Sequence, residues 1–168
     1  SYAGQIINFT FPHIGNVGAN NDDHESDKIW TKGVIFNSEI TSPSNYRSFQ
    51  HLDAWLISNE LTAVTGIDTR QLTRRVRDRG YINGVIAYPH DGPVDVASAI
   101  AVAQASPDIE GRDLAKEVTC NRTYYWKESA WVMGQGYGKL TTFKYRVVAL
   151  DFGAKRNILR CLASAGCQ

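Results

Sequence analysis

The run at residues 145–166, YRVVALDFGAKRNILRCLASAG, constrains the fold more than any other stretch of the chain. Residues 147–150 are continuously apolar, which is typical of a strand covered on both faces in a parallel sheet. Asp151 and Gly153 end that strand, and apolar residues then recur at helical spacing up to Gly166, which is placed as a helix terminator. A strand followed by a crossover helix belongs to a parallel sheet, so the run predicts an α/β protein. Its basic residues are expected to face water: Lys155, Arg156 and Arg160.

The rest of the chain alternates strand and helix signals in the same way. Strands are predicted at 4–11, 31–38, 62–67 and 82–88, helices at 49–57, 68–79, 94–105 and 111–118, and a strand or hairpin at 122–133. The Gly-rich tract GQGYGK at 134–139 is typical of a linker. We therefore expect one domain over residues 1–143 and the beginning of a second over residues 144–168.

Composition excludes some classes of partner. Eighteen Lys and Arg residues oppose seventeen Asp and Glu residues, so the net charge of +1 favours neither nucleic acid nor an anionic membrane. The chain has neither a long apolar run nor a secretory signal pattern. Three cysteines without metal-ligand spacing fit a reducing compartment, and we expect the cytoplasm.

Two acidic motifs suggest metal binding, and for each a simpler interpretation is favoured. Asp151 begins a DFG tripeptide, which holds magnesium in protein kinases, but the chain lacks the other kinase motifs. Residues 20–27, NNDDHESD, contain enough carboxylates for a hard cation without the spacing of a calcium loop. We expect a solvated acidic loop there and no metal site in this chain.

The predicted helix at 68–79, DTRQLTRRVRDR, carries five arginines, with Asp68 as its N-cap and Gly80 as its stop. Leu72 and Val76 are expected to face the core. Three of the arginines fall in one stripe at helical spacing and are candidates for a partner interface: Arg70, Arg74 and Arg77. The alternative is a solvated helix face whose arginines form ion pairs with neighbours such as Asp78. It is favoured over a dedicated anion site.

No catalytic residue is predicted in the chain. A nucleophilic cysteine needs an electropositive environment and a nearby base, and none of the three cysteines has such a sequence context. We expect them to be packing residues: Cys120, Cys161 and Cys167. The four histidines are scattered without a metal-binding pair.

Three segments together resemble one family: SYAGQIINFTFPHIGNVGAN, GIDTRQLTRRVRDRG with NGVIA after it, and DFGAKRNILR. In order and approximate spacing they are similar to the small, glutamine-hydrolysing subunit of carbamoyl-phosphate synthetase, in its bacterial form. The resemblance implies an α/β fold: the layered sheet-and-helix N-terminal domain of that subunit, incomplete at its start, followed by the first strand and helix of a class I glutamine amidotransferase domain.

The resemblance also implies a reaction and its partners. Glutamine is hydrolysed through a cysteinyl thioester, and the ammonia passes to a large subunit that uses ATP and magnesium, with bicarbonate, to make carbamoyl phosphate. The family's catalytic cysteine has no matching position here, so this segment alone is expected to be inactive. Ser1 matches a family serine that contacts glutamine. The alternative is a non-catalytic docking module for the large subunit, and no nucleic-acid or membrane partner is expected.

Overall fold

Ten short elements make up the computed structural model, which describes residues 2–168. They are β1 (Ile6–Asn8), β2 (Gly33–Ile35), α1 (Leu52–Ser58), β3 (Ala63–Val64), α2 (Thr69–Arg79), α3 (Val96–Ala105), α4 (Leu114–Val118), β4 (Glu128–Val132), β5 (Gly136–Lys139) and α5 (Arg156–Ser164). They fall into two units. Residues 2–20 and 30–112 form the sheet unit, and residues 21–29 and 113–168 form the hairpin unit.

A three-stranded parallel sheet, in the order β1-β2-β3, organises the sheet unit. Its central strand is the most buried, and the buried core consists of Val34, Phe36 and Leu56. Leu56 comes from α1, so this helix covers the sheet as a crossover connection requires. The parallel strands, with α1 between β2 and β3, confirm a mixed α/β fold.

Side-chain caps begin several of the helices. The carboxylate of Asp68 accepts a 2.8 Å hydrogen bond from the backbone N–H of Gln71 at the start of α2. Gly80 follows the helix with a φ of +83°, a conformation that favours glycine. Both predicted ends of α2 are thereby confirmed, and Asp95 caps α3 in the same way.

The strand predicted at residues 82–88 is wrong. The segment is extended but belongs to no strand, and its backbone groups make no hydrogen bond to other backbone groups of residues 2–168. Ile86 instead lies over β2, so close to Gly33 that a Cβ there would stand 2.7 Å from the Ile86 Cδ1 atom. Apolar alternation predicts an extended chain, whereas a strand also requires a neighbour that exchanges hydrogen bonds with it.

The hairpin unit contains an antiparallel pair, β4 and β5, with α5 packed on β4. The interpretation of residues 134–139 as a linker is wrong, because they form the turn and β5. Gly134 and Gly136 have positive φ, so these glycines serve the reversal of the chain. The predicted boundary at residue 143 stays a prediction.

The apolar run at 147–150 is not a strand in this structure, which corrects the expected first strand. Tyr145 forms an isolated parallel bridge with Cys167, and the N–H of Val147 donates to the carbonyl of Gln168 at 2.8 Å. Val148 is 90% exposed, so beyond Val147 no neighbouring segment covers the run. The helix that follows is confirmed as α5, and Gly166 lies just past its end with a φ of +85°.

Candidate functional site

Asp151 of the DFG tripeptide is a structural residue. Its Oδ1 atom accepts hydrogen bonds from the backbone N–H groups of Gly153, at 2.9 Å, and Ala154, at 2.7 Å. Its Oδ2 atom accepts a third, at 2.5 Å, from the hydroxyl of Tyr124. These bonds hold the turn that precedes α5, so the carboxylate is already occupied and the kinase interpretation fails on geometry.

Electrostatics around this turn favour the ionised carboxylate. Burial alone raises the pKa of Asp151, but the hydrogen bonds from Tyr124 and from the Ala154 and Gly153 backbone outweigh it and lower the pKa below its ordinary value. For Tyr124, burial and the hydrogen bond to Asp151 act together and raise the pKa to about 12. The pair therefore stays as neutral phenol and carboxylate over the physiological range.

The acidic segment at 21–29 is an irregular and mostly exposed loop, as predicted, but several of its groups also bind other residues of the hairpin unit. The backbone N–H of Asn157 donates to Glu25 Oε2 at 2.8 Å, which places a carboxylate at the N-terminus of α5. Asp27 pairs with Arg156, and Tyr137 donates its hydroxyl to the Asp22 carbonyl. These carboxylates satisfy donors of their own unit, and residues 2–168 contain no group of three metal-ligating side chains.

Arg160 is buried, although the sequence predicted that it faces water. Its guanidinium donates from Nε to Glu128 Oε1 at 2.8 Å and lies 3.8 Å from the centre of the Tyr137 ring. Glu25 lies 3.9 Å from Nη1. Only 4% of the side chain is exposed, so Arg160 joins α5, β4 and the acidic segment as a central polar contact of the hairpin unit.

The cysteines do not form a reactive site. Cys120 and Cys161 are exposed, so the prediction that they pack in the core is wrong, and Cys167 is partly buried. Cys161 lies on the outer face of α5, beside an open groove that Glu25 and Lys155 also line. All three cysteines are free, with no disulfide among residues 2–168.

The arginine stripe, defined as Arg70, Arg74 and Arg77, is the strongest candidate surface. At 100° per residue these three side chains fall within an arc of about 60°, while Leu72 projects about 170° away from its centre. All three arginines are exposed, and Leu72 is half-buried. Val76 is 38% exposed, so only Leu72 confirms the predicted apolar face.

Few opposite charges meet the stripe. Arg77 donates to Asp78 at 3.1 Å, and both side chains are largely exposed, so this pair contributes little. Within residues 2–168, the side chains of Arg70 and Arg74 have no ion pair or hydrogen bond. The interpretation of the stripe as a face of ion-paired side chains therefore applies to Arg77 alone.

The stripe costs α2 some stability. Arg70 is the second residue of the helix, where a cation opposes the helix dipole and costs about 0.3–1 kcal/mol. The Arg70–Arg74 and Arg74–Arg77 pairs repel at helical spacing by about 0.2–0.5 kcal/mol each. Helix stability thus gives no reason for Arg70 or Arg74, whereas Arg77 lies in the last turn, where a cation favours the helix dipole.

Ser1, the predicted glutamine contact, lies outside the described residues, and that assignment stays a prediction. The contacts that sequence reasoning missed are those of Arg160 and Glu25. Arg160 lies four residues after Arg156 on α5, but their partners in the acidic segment are more than 120 residues away in sequence. A single sequence carries no signal that joins segments so far apart.

Comparison with known proteins gives a consistent family. The family model for the carbamoyl-phosphate synthase small chain, CPSase domain, matches residues 1–86. The carbamoyl phosphate synthase small chain of Brucella anthropi is 49% identical over all of this chain and 42% of its own length. Those of Ruegeria pomeroyi and Rhizobium meliloti are 46% and 49% identical, again over the whole chain and 43% of their lengths. The chain therefore spans less than half the length of these relatives, and it belongs to the carbamoyl-phosphate synthase small chain family.

Proposed function

We propose that these residues are part of the glutamine-hydrolysing small subunit of carbamoyl-phosphate synthetase. That subunit supplies ammonia to the large subunit, which makes carbamoyl phosphate for arginine and pyrimidine synthesis. The observation that carries the proposal is family membership: the family model matches residues 1–86, and whole-chain identity to the relatives reaches 49%.

Glutamine hydrolysis requires a thiolate, a base and donors for the oxyanion. We assign these groups to the class I amidotransferase domain, of which residues 144–168 are the beginning. The parallel bridge between Tyr145 and Cys167, together with α5, supports the start of a parallel-sheet unit there. Residues 1–143 then belong to the layered N-terminal domain, for which the parallel sheet β1-β2-β3 is the supporting feature.

Ser1 is the proposed glutamine contact from the N-terminal domain, with its hydroxyl hydrogen-bonded to the substrate amino acid. The large subunit binds ATP and magnesium in this scheme, so the present residues need no cofactor of their own. The proposed partners are this large subunit and glutamine, with the cytoplasm as the compartment. None of the helices in residues 2–168 is long and apolar enough to cross a membrane.

Release of glutamate tests the assignment of glutamine hydrolysis to the amidotransferase domain. The 168-residue chain is assayed for glutaminase activity beside the complete small subunit that carries these residues, each with and without the large subunit. We expect glutamate only from the complete subunit. Glutamate production by the 168-residue chain contradicts the assignment of the chemistry to the amidotransferase domain.

A further inference from the structure

We infer that the arginine stripe of α2 is an interaction surface that binds carboxylates on an acidic protein surface. The partner is the large subunit, an identity that rests on the proposed function. The new element is the surface of this chain that binds it. Arg70, Arg74 and Arg77 present their guanidinium groups on one exposed side of α2, with about 10 Å of helix between the first and the last.

The distribution of charge in the sheet unit sets the stripe apart from an ordinary solvated face. The unit has eight basic and nine acidic residues, yet five of the eight basic residues lie on the eleven residues of α2. The basic residues are Lys32, Arg47, Arg70, Arg74, Arg75, Arg77, Arg79 and Arg112. The concentration is local, because the rest of the unit has three basic and eight acidic residues, so α2 forms a cationic surface on a unit whose total charge is nearly balanced.

The position of each arginine within α2 points to a partner. Arg77 and Arg79 lie in the last turn, where a cation favours the helix dipole, so their presence has a local explanation. Arg70 lies in the first turn, where a cation is unfavourable, and Arg74 repels Arg70 and Arg77. A bound carboxylate surface removes both penalties, because it supplies the negative charge that the stripe lacks.

The chemistry of the surface favours protein carboxylates over nucleic acid. Asp68 caps the helix immediately before the stripe, and Asp78 contacts Arg77. Asp78 lies about 70° from the centre of the stripe, so a phosphate backbone that follows the stripe approaches this carboxylate, whereas a protein surface can place its own carboxylates away from it. Guanidinium groups bind single carboxylates through two parallel hydrogen bonds, and they need no continuous polyanion to do so.

The test compares two double charge reversals with the same change in net charge. Arg70→Glu with Arg74→Glu reverses the stripe, and Arg75→Glu with Arg79→Glu reverses two exposed arginines on other sides of the same helix. Binding of the 168-residue chain to the large subunit is measured by calorimetry at low and at physiological salt. We expect the first variant to bind at least about 30-fold more weakly and the second to stay within about threefold of the unmodified chain.

Several results overturn the inference. Equal binding by both variants is one, and an equal loss of binding by both is another. The third is tight, salt-sensitive binding of the unmodified chain to a 20-base-pair DNA duplex, if Arg70→Glu with Arg74→Glu abolishes that binding. If circular dichroism shows that Arg70→Glu with Arg74→Glu disturbs folding, the single variant Arg74→Gln is measured instead. Unchanged affinity of Arg74→Gln for the large subunit then refutes the inference. If the unmodified chain does not bind the large subunit, the proposed function is contradicted instead, because it names the large subunit as the partner of these residues.

Discussion

Replacing Arg70 by glutamate is expected to stabilise α2 while it removes part of the proposed interaction surface. Arg70 lies in the first turn, so the change replaces an unfavourable interaction with the helix dipole, about 0.3–1 kcal/mol, by a favourable one of similar size. It also converts the repulsion between residues 70 and 74 into an attraction, each about 0.2–0.5 kcal/mol. The expected gain in local stability is about 1.5 kcal/mol.

Hydrogen exchange measured by mass spectrometry on the peptide at 69–80 reports this gain. A change of about 1.4 kcal/mol corresponds to a tenfold change in an equilibrium constant, so we expect about tenfold slower exchange at low salt. The gain should shrink at high salt, because exposed charges are screened. Arg75→Glu, in the helix interior, is the control with little expected effect. Unchanged or faster exchange in Arg70→Glu refutes the reasoning that the stripe opposes helix stability.

Four further predictions concern the hairpin unit and the substrate. Arg160→Met should lower the free energy of unfolding, measured in urea, by about 2–3 kcal/mol. The change removes a charge-assisted hydrogen bond to the partly exposed Glu128 and the contact with the Tyr137 ring. A loss below about 1 kcal/mol contradicts the central role of Arg160. The raised pKa of Tyr124, about 12, means that its stabilising contribution is complete below pH 10 and is lost as the pH rises to 12. Tyr124→Phe should therefore flatten the alkaline decline of the melting temperature, and an identical decline refutes this. The lowered pKa of Asp151 acts in the opposite direction, so its contribution is present above its unfolded pKa and is lost as acid protonates the carboxylate; Asp151→Asn should remove that acid dependence. Ser1→Ala in the complete small subunit should raise the KM for glutamine about fivefold, the loss of about 1 kcal/mol from one hydrogen bond, and leave ammonia-dependent synthesis unchanged; an unchanged KM contradicts the proposed contact.

Local signals predicted the helices well. Asp68 and Gly80 mark the two ends of α2, and the structure shows the capping bond and the positive φ that such residues supply. The α/β class also followed from the sequence, because apolar runs alternate with helical patterns. These features depend on residues within a few positions of one another, which is the range that a single sequence reveals.

Long-range contacts limited the rest of the prediction. Residues 82–88 and 147–150 are apolar and rich in strand formers, yet strand formation depends on pairing that no local pattern specifies. The glycines of 134–139 suit a linker and a hairpin equally, and the pairing of β4 with β5 decides between them. Arg160 was expected at the surface because its partners, Glu25 and Glu128, lie in other segments of the chain.

Transfer of the amide nitrogen of glutamine into carbamoyl phosphate is the decisive measurement for the proposed function. The complete small subunit that carries these residues is mixed with the large subunit, ATP, magnesium and bicarbonate, and supplied with glutamine labelled with ¹⁵N at the amide. The account predicts ¹⁵N in carbamoyl phosphate and an equal yield of glutamate. Carbamoyl phosphate without the label, or no glutamate release from the complete subunit, contradicts the proposed function.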